Sequence, residues 1–260
     1  MGSVIGRVNM FGYMRQQFGV SNGAWLPIVH KAPKGPSRIA LSLDDGPSPR
    51  TTLKVLELLK SYDARATFFL SGERAEPYPE LVQAIVDSGN AIYAHGYSHV
   101  RLDRLAPEAA LDELRRTEEI LTKARPTPQD YIVRLPYGSG HRSLDMHRLL
   151  KTWHPGCQIG HWRYDFKDFA LADGCETLDA VGRNCDAAVE AAFADPRFLG
   201  STILMHEDPI GVPARYVGDV ASILLERILL TAQAKGVAVT EMLPVRQKLV
   251  NRYVRTVYME

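Results

Sequence analysis

Arg38-Ile39-Ala40-Leu41-Ser42-Leu43-Asp44-Asp45-Gly46-Pro47 is an apolar run that ends in two adjacent carboxylates. The run has the length and composition of a strand. Asp-Asp-Gly-Pro is good turn and helix-start chemistry: a short side chain to cap, a Gly for unusual dihedrals, a Pro with preset φ. Taken alone it reads as a turn. What makes it a candidate hydrolytic site is the set of histidines and the arginine spaced along the rest of the chain.

Further short apolar runs rich in β-branched or aromatic residues follow, alternating with longer amphipathic stretches, the pattern of βα units. The runs predict strands over 38–43, 66–70, 91–95, 131–135, 157–162, 202–206 and 237–240, and the stretches predict helices over 50–62, 78–88, 107–123, 143–152, 177–194 and 216–235. Asp87-Ser88-Gly89-Asn90 reads as a helix stop, Ala106-Pro107-Glu108 as a helix start, and Lys235-Gly236 as the end of the last long helix. Leu53, Val55, Leu56, Leu58 and Leu59 recur at helical spacing and read as core. About seven such units favour an α/β barrel, an imperfect one with fewer than eight strands, over an open doubly wound sheet. In either fold the active site lies at the C-terminal ends of the strands, so chemistry-capable residues should follow the apolar runs. They do so at Asp44 and Asp45, His95 and His99, Arg134, the stretch from Trp162 to Asp168, and His206.

The bulk numbers narrow the function classes. At 260 residues, 45% apolar and 23% charged, the chain has an ordinary globular balance, with no low-complexity linker and no internal repeat. The expected organisation is an N-terminal arm over 1–37 and one catalytic barrel over 38–260. A net charge of +1, with Arg and Lys interleaved among Asp and Glu, offers no basic face for a phosphate backbone, so no nucleic-acid partner is expected. Cys157, Cys175 and Cys185 lack zinc-ribbon or redox spacing, and free thiols fit a reducing compartment. Cys175 and Cys185 on one helix would lie roughly 15 Å apart, too far to bridge. No segment reads as a signal peptide or membrane span, which points to a cytoplasmic protein, or to a periplasmic or secreted one if a leader preceded Met1-Gly2-Ser3.

His95-Gly96-Tyr97-Ser98-His99 sets two imidazoles four residues apart, a spacing that suits two ligands of one metal ion. Two imidazoles and one carboxylate leave positions open for water and substrate. Ligation by both Asp44 and Asp45 would quench the ion and consume the best base, so the pair divides into one ligand and one proton acceptor. Arg134-Leu135-Pro136-Tyr137-Gly138 supplies an arginine to hold a carboxylate ionised and oriented, and Met205-His206 ends another strand with a histidine.

In order, Leu43-Asp44-Asp45-Gly46-Pro47, His95-Gly96-Tyr97-Ser98-His99, Arg134-Leu135-Pro136-Tyr137-Gly138, Trp162-Arg163-Tyr164-Asp165-Phe166-Lys167-Asp168 and Leu204-Met205-His206 resemble the five motifs of the polysaccharide deacetylases, carbohydrate esterase family four. The resemblance implies a distorted (β/α) barrel in which Asp45, His95 and His99 hold a divalent metal, zinc in the first place, with cobalt, nickel or manganese also compatible. It implies Asp44 as general base positioned by Arg134, His206 as general acid oriented by Asp165 with Trp162 nearby, and the backbone N–H of Tyr137 at the oxyanion. The implied reaction is removal of an N-acetyl group from an amino sugar, its oligomer or polymer, by metal-activated water. Alternatives are an O-acetyl esterase of the acetylxylan type, a small cyclic amide or ureide hydrolase of the same superfamily, and a carbohydrate-binding relative without chemistry. Gly96 stands where the family carries Ser or Thr, so the loop's brace must come from elsewhere, with Ser98 the nearest hydroxyl. Tyr137, Trp162, Tyr164 and Phe169 offer stacking surfaces for a pyranose ring. His141 is expected on a loop, and Glu207 and Asp208 as solvated acids.

Overall fold

A computed structural model describes residues 25–35 and 37–245, so the arm as far as residue 24 and the segment 246–260 lie outside the described residues. The strands are β1 (Ile28–Val29), β2 (Arg38–Asp44), β3 (Thr67–Leu70), β4 (Ala91–Ala94), β5 (Tyr131–Arg134), β6 (Cys157–Gly160), β7 (Tyr164–Asp165), β8 (Thr202–His206) and β9 (Ala238–Thr240). The helices are α1 (Thr52–Ser61), α2 (Gly72–Ala75), α3 (Pro79–Asp87), α4 (Pro107–Leu121), α5 (Leu144–Trp153), α6 (Leu178–Ala194) and α7 (Val217–Ala234).

The ladders between these strands are parallel, in the orders β1-β6-β5 and β4-β3-β2-β8-β7, with β9 joining β2. Strands β4 and β5 pack together at one seam. At the other seam the chain after β1 meets the start of β8: Thr202 N–H donates to His30 O at 3.0 Å and Ala32 N–H to Gly200 O at 2.9 Å. The result is the expected α/β architecture of the distorted-barrel kind, with helices outside.

Side-chain alternation along β2 decides what faces inward. Ile39, Leu41 and Leu43 enter the layer shared with Val55 and Leu59 of α1 and Leu224 and Ile228 of α7. Ala40 faces the other way, into the cluster that holds Phe69, Tyr131 and Ile132. Ser42 and Asp44 share Ala40's side of the strand, because successive residues alternate faces. Each fully buried Leu or Ile of the outer layer contributes roughly 1.5–3 kcal/mol, and that burial holds the strand while its inner face is given to polar groups.

Two helix starts are capped as their sequences imply: Ser143 Oγ accepts from Met146 N–H and Thr177 Oγ1 from Ala180 N–H. Pro79 and Pro107 occupy first turns. One helical expectation is corrected: α6 begins at Leu178, so Cys175 precedes the helix that carries Cys185. No helix among the described residues is long and apolar enough to cross a membrane.

Candidate active site

Every site residue named from the sequence sits at or just beyond the C-terminal end of a strand. Asp44 ends β2, Arg134 ends β5, Asp165 ends β7 and His206 ends β8, while His95 follows β4 directly. Strands β2 and β8 are neighbours in register, and Asp44 lies opposite His206. Asp44, Asp45, His95, His99, Asp165 and His206 line one cavity of about 350 Å³, walled by Tyr137, Trp162, Phe169, Leu204, Pro209, Ile210 and Val212, while Arg134 lies fully buried beneath it.

On its floor, His95 Nε2 and His99 Nε2 lie 3.5 and 3.1 Å from Asp45 Oδ1. One ligand atom from each of Asp45, His95 and His99 falls within 4.8 Å of the others, and all three residues are buried. Asp45 Oδ2 accepts from Ile210 N–H at 2.9 Å, but Oδ1 is buried without a hydrogen-bond partner among the described residues. A buried, unpaired carboxylate oxygen facing two imidazoles is a donor set that fits a divalent cation. Burial pushes His95 down to about 3, against the upward pull of Asp45, so the ring is neutral as a ligand must be. Its Nδ1–H donates to Arg134 O at 2.9 Å, which fixes the ring.

Asp44 is 3% exposed and both its oxygens accept from Arg134 Nη1, at 3.1 and 2.9 Å. Arg134 is fully buried, donates its Nη2 to Ser42 Oγ at 3.0 Å, and lies 4.4 Å from the ring centre of Phe69 and 5.1 Å from that of Trp162. Its planar fork thus reaches across the barrel to orient one carboxylate. Burial nevertheless dominates: it raises the Asp44 carboxyl above the usual range, with Arg134, His206 and His99 pulling back.

The partner of His206 differs from the sequence expectation. Its Nδ1 lies 2.8 Å from Asp168 Oδ1, and its backbone N–H donates to the other oxygen of the same carboxylate. Asp165 is instead drawn into a local turn, accepting from Lys167 N–H at 2.8 Å where Lys167 adopts φ 49°. That turn carries the chain into the 168–170 helical turn and delivers Asp168, 1% exposed, behind His206. Asp165 remains on the cavity wall, half-buried, with its carboxyl raised by burial. For His206, burial is the largest influence and lowers it, but Asp168, Asp44 and Asp45 together outweigh burial and bring it up to about 10.

Other expectations resolve locally. Tyr137 adopts φ 60° and leaves its ring 64% exposed, 4.7 Å from that of His99. Trp162 stacks on His161 at 4.2 Å. Phe169 is 38% exposed and edge-on to His206, whereas Tyr164 packs against Phe166 and Phe198 and belongs to the core. His141 lies on a loop, donating to Gly138 O. Glu207 is corrected outright: it is fully buried, accepting from Ser48 N–H, Thr51 Oγ1 and Thr52 Oγ1, because the end of β8 runs beneath the Gly46–Ser48 loop. Asp208 is tied to Ser48 Oγ at 3.0 Å, and Arg74 donates to the backbone oxygens of both Asp45 and Asp208. The brace of the His95–His99 loop is Glu113, with Ser98 as one of its donors. Asp168 stood inside the quoted motif, but no local signal in the sequence marks Glu113, Glu207 or Arg74.

Residues 31–151 match the model of the polysaccharide deacetylase family. Among curated proteins, the chain is 29% identical over 214 residues to a peptidoglycan-N-acetylglucosamine deacetylase of Bacillus cereus, covering 77% of this chain and 72% of that one. It is 30% identical over 173 residues to a chitooligosaccharide deacetylase of Bradyrhizobium sp., covering 66% and 72%. Among solved structures, the peptidoglycan deacetylase PdaC of Bacillus subtilis aligns with TM-score 0.60 and 29% identity over 78% of this chain and 87% of that one. A family 4 carbohydrate esterase from Streptomyces lividans, in complex with acetate, aligns with TM-score 0.60 and 26% identity over 81% and 95%. Likeness of that degree, to curated sequences across most of their length and to solved folds across most of this one, makes the chain a member of the polysaccharide deacetylase family.

Proposed function

We propose that the protein is a metal-dependent N-deacetylase of an amino sugar or its oligomer or polymer. The observation that carries the reading is the pairing of two ion-paired residues across adjacent strands, Asp44 with Arg134 and His206 with Asp168, over one cavity that also holds Asp45, His95 and His99. The named substrates of the relatives, peptidoglycan N-acetylglucosamine and chitooligosaccharide, support the substrate class.

Asp45, His95 and His99 would hold the cation, for which zinc is the best match and cobalt, nickel or manganese are compatible. A cation bound there supplies Lewis-acid polarisation of the acyl oxygen and a water more acidic than bulk water. Asp44, held by Arg134 at the cavity floor, takes the proton from the attacking water as the new C–O bond forms. His206, kept protonated by Asp168, gives its proton to the amide nitrogen as the C–N bond breaks, and the products are acetate and a free amine. An amide needs both groups because its nitrogen leaves poorly unless protonated. The backbone N–H of Tyr137 is assigned to the developing oxyanion. The rings of Tyr137, Trp162 and Phe169 form apolar walls on which a pyranose can stack.

The test is acetate release from N-acetylglucosamine oligomers, measured as purified, after chelation, and after adding back zinc or cobalt. Release that falls with chelator and returns with metal is expected. Asp44→Asn should lower kcat by about 10²–10⁴-fold, and full activity in that variant would remove the base from the mechanism. Release from an O-acetyl ester but not from the amide would transfer the reading to an esterase.

A further inference from the structure

The two histidines of the cation trio are restrained very differently. The His95 ring is pinned by its Nδ1–H to Arg134 O at 2.9 Å. His99, whose Nε2 faces Asp45, has a buried Nδ1 with no hydrogen-bond partner among the described residues. The usual device for orienting a ligating histidine, a hydrogen bond to its other ring nitrogen, is therefore missing at His99. Its backbone is also in the left-handed region, at φ 53°, a conformation that persists only where the surroundings enforce it.

That enforcement comes from Glu113 on α4. Glu113 Oε2 accepts from both Tyr97 N–H and Ser98 N–H, each at 2.8 Å, and Oε1 accepts from Ser98 Oγ at 2.7 Å. The carbonyls of the same loop are held from the opposite side, where Gly72 N–H donates to Gly96 O at 3.0 Å and Glu73 N–H to Tyr97 O at 2.9 Å. Ser71 Oγ adds a further bond to Tyr97 O at 2.9 Å. Gly96 adopts φ 75°, where an L side chain is strained, so a hydroxyl-bearing residue at that position is disfavoured. A charged acceptor taking three donors is stronger than one neutral hydroxyl.

We propose that Glu113 is the positioning residue that holds His99 in ligating geometry, in place of the hydroxyl the family carries after its first histidine. This rests on the metal reading above. The experiment is equilibrium binding of Co²⁺ and Zn²⁺ by competition with a chromophoric chelator, together with the visible absorption of the cobalt-loaded protein. Variants are Glu113→Ala, Glu113→Gln and Ser98→Ala, with exposed Glu119→Ala on the same helix as control. Glu113→Ala should raise the metal Kd about 10–100-fold and change the cobalt spectrum. Glu113→Gln, whose amide oxygen still accepts from the two N–H groups, should recover most of the affinity, and Ser98→Ala should fall between. A merely structural role for Glu113 would lower thermal stability without this graded change in Kd. Binding by Glu113→Ala within twofold of wild type, with an unchanged spectrum, overturns the proposal. If that variant does not fold, Ser98→Ala decides it, and wild-type affinity there with an unchanged cobalt spectrum overturns it equally. A wild-type protein that takes up neither ion overturns the metal reading itself and this proposal with it.

Discussion

At the scale of single residues, three positions decide which carboxylate serves His206. A motif read as Tyr164-Asp165-Phe166-Lys167-Asp168 contains two aspartates, and nothing in their spacing says which one the following turn will bring behind the imidazole. The turn at Lys167 settles it in favour of Asp168, which takes both His206 Nδ1–H and the His206 backbone N–H. The consequence is measurable in the pH–rate profile. His206 must be protonated to act as acid, so activity is lost as pH rises through its pKa, at about 10 with Asp168 in place. In Asp168→Asn burial is opposed by fewer charges and the basic limb should move at least one unit toward neutrality, while Asp165→Asn should leave that limb nearly in place. The same pair stabilises the fold below the ordinary histidine value of 6.5 and loses that contribution as pH rises toward 10. A basic limb that responds to Asp165 and ignores Asp168 would reverse the assignment.

At the scale of elements, the strands were readable because their apolar runs end in chemistry, and Asp44, Asp45, His95, His99, Arg134 and His206 followed from where those runs end. Groups that hold loops from other elements were not readable, since Glu207 after a strand looks like any solvated acid. In the fold its carboxylate sits at the start of α1, taking Ser48 N–H, Thr51 Oγ1 and Thr52 Oγ1, while Gly46 packs so closely that an added Cβ would collide with Glu207 Oε2. Burial pushes this carboxyl up to about 7 from an ordinary 4.5. Between those values the folded state binds more protons than the unfolded state, so Glu207 makes stability fall as pH rises through that window. Glu207→Gln removes the titration, and the stability of wild type relative to the variant should decline from pH 4.5 to pH 7.5 by on the order of a few kcal/mol. Chemical denaturation of both proteins across that range is the measurement, and parallel stability curves would mean the carboxyl titrates normally.

At the scale of the whole molecule, closure of the barrel depends on residues the sequence assigns to an arm. β1 is too short to register as an apolar run, yet Ile28 and Val29 pair with Ile159 and Gly160, and the next residues bond to the start of β8. Leu26 and Val29 are buried in the core, but a two-residue pairing makes few ladder bonds, and His147 on α5 adds an anchor. Leu26 N–H donates to His147 Nδ1 at 2.9 Å, His147 Nε2 lies 2.7 Å from His141 O, and Trp25 packs edge-on against the ring. Both bonds require the neutral imidazole with its proton on Nε2, and burial accordingly lowers the His147 pKa. His147→Phe keeps a ring but strands the buried Leu26 N–H, at a cost of roughly 1–3 kcal/mol, and leaves the part-buried His141 C=O without its donor. The variant should therefore lose stability at neutral pH, and hydrogen exchange should accelerate first at Leu26 and its neighbours through Ala32. Because His147 is neutral when folded, wild type should also lose stability as pH falls below the ordinary value of 6.5, a loss the variant lacks. Unchanged exchange at Leu26 in the variant would mean that the ring closes without this anchor, through the ladder to β6 and the bonds to β8 alone.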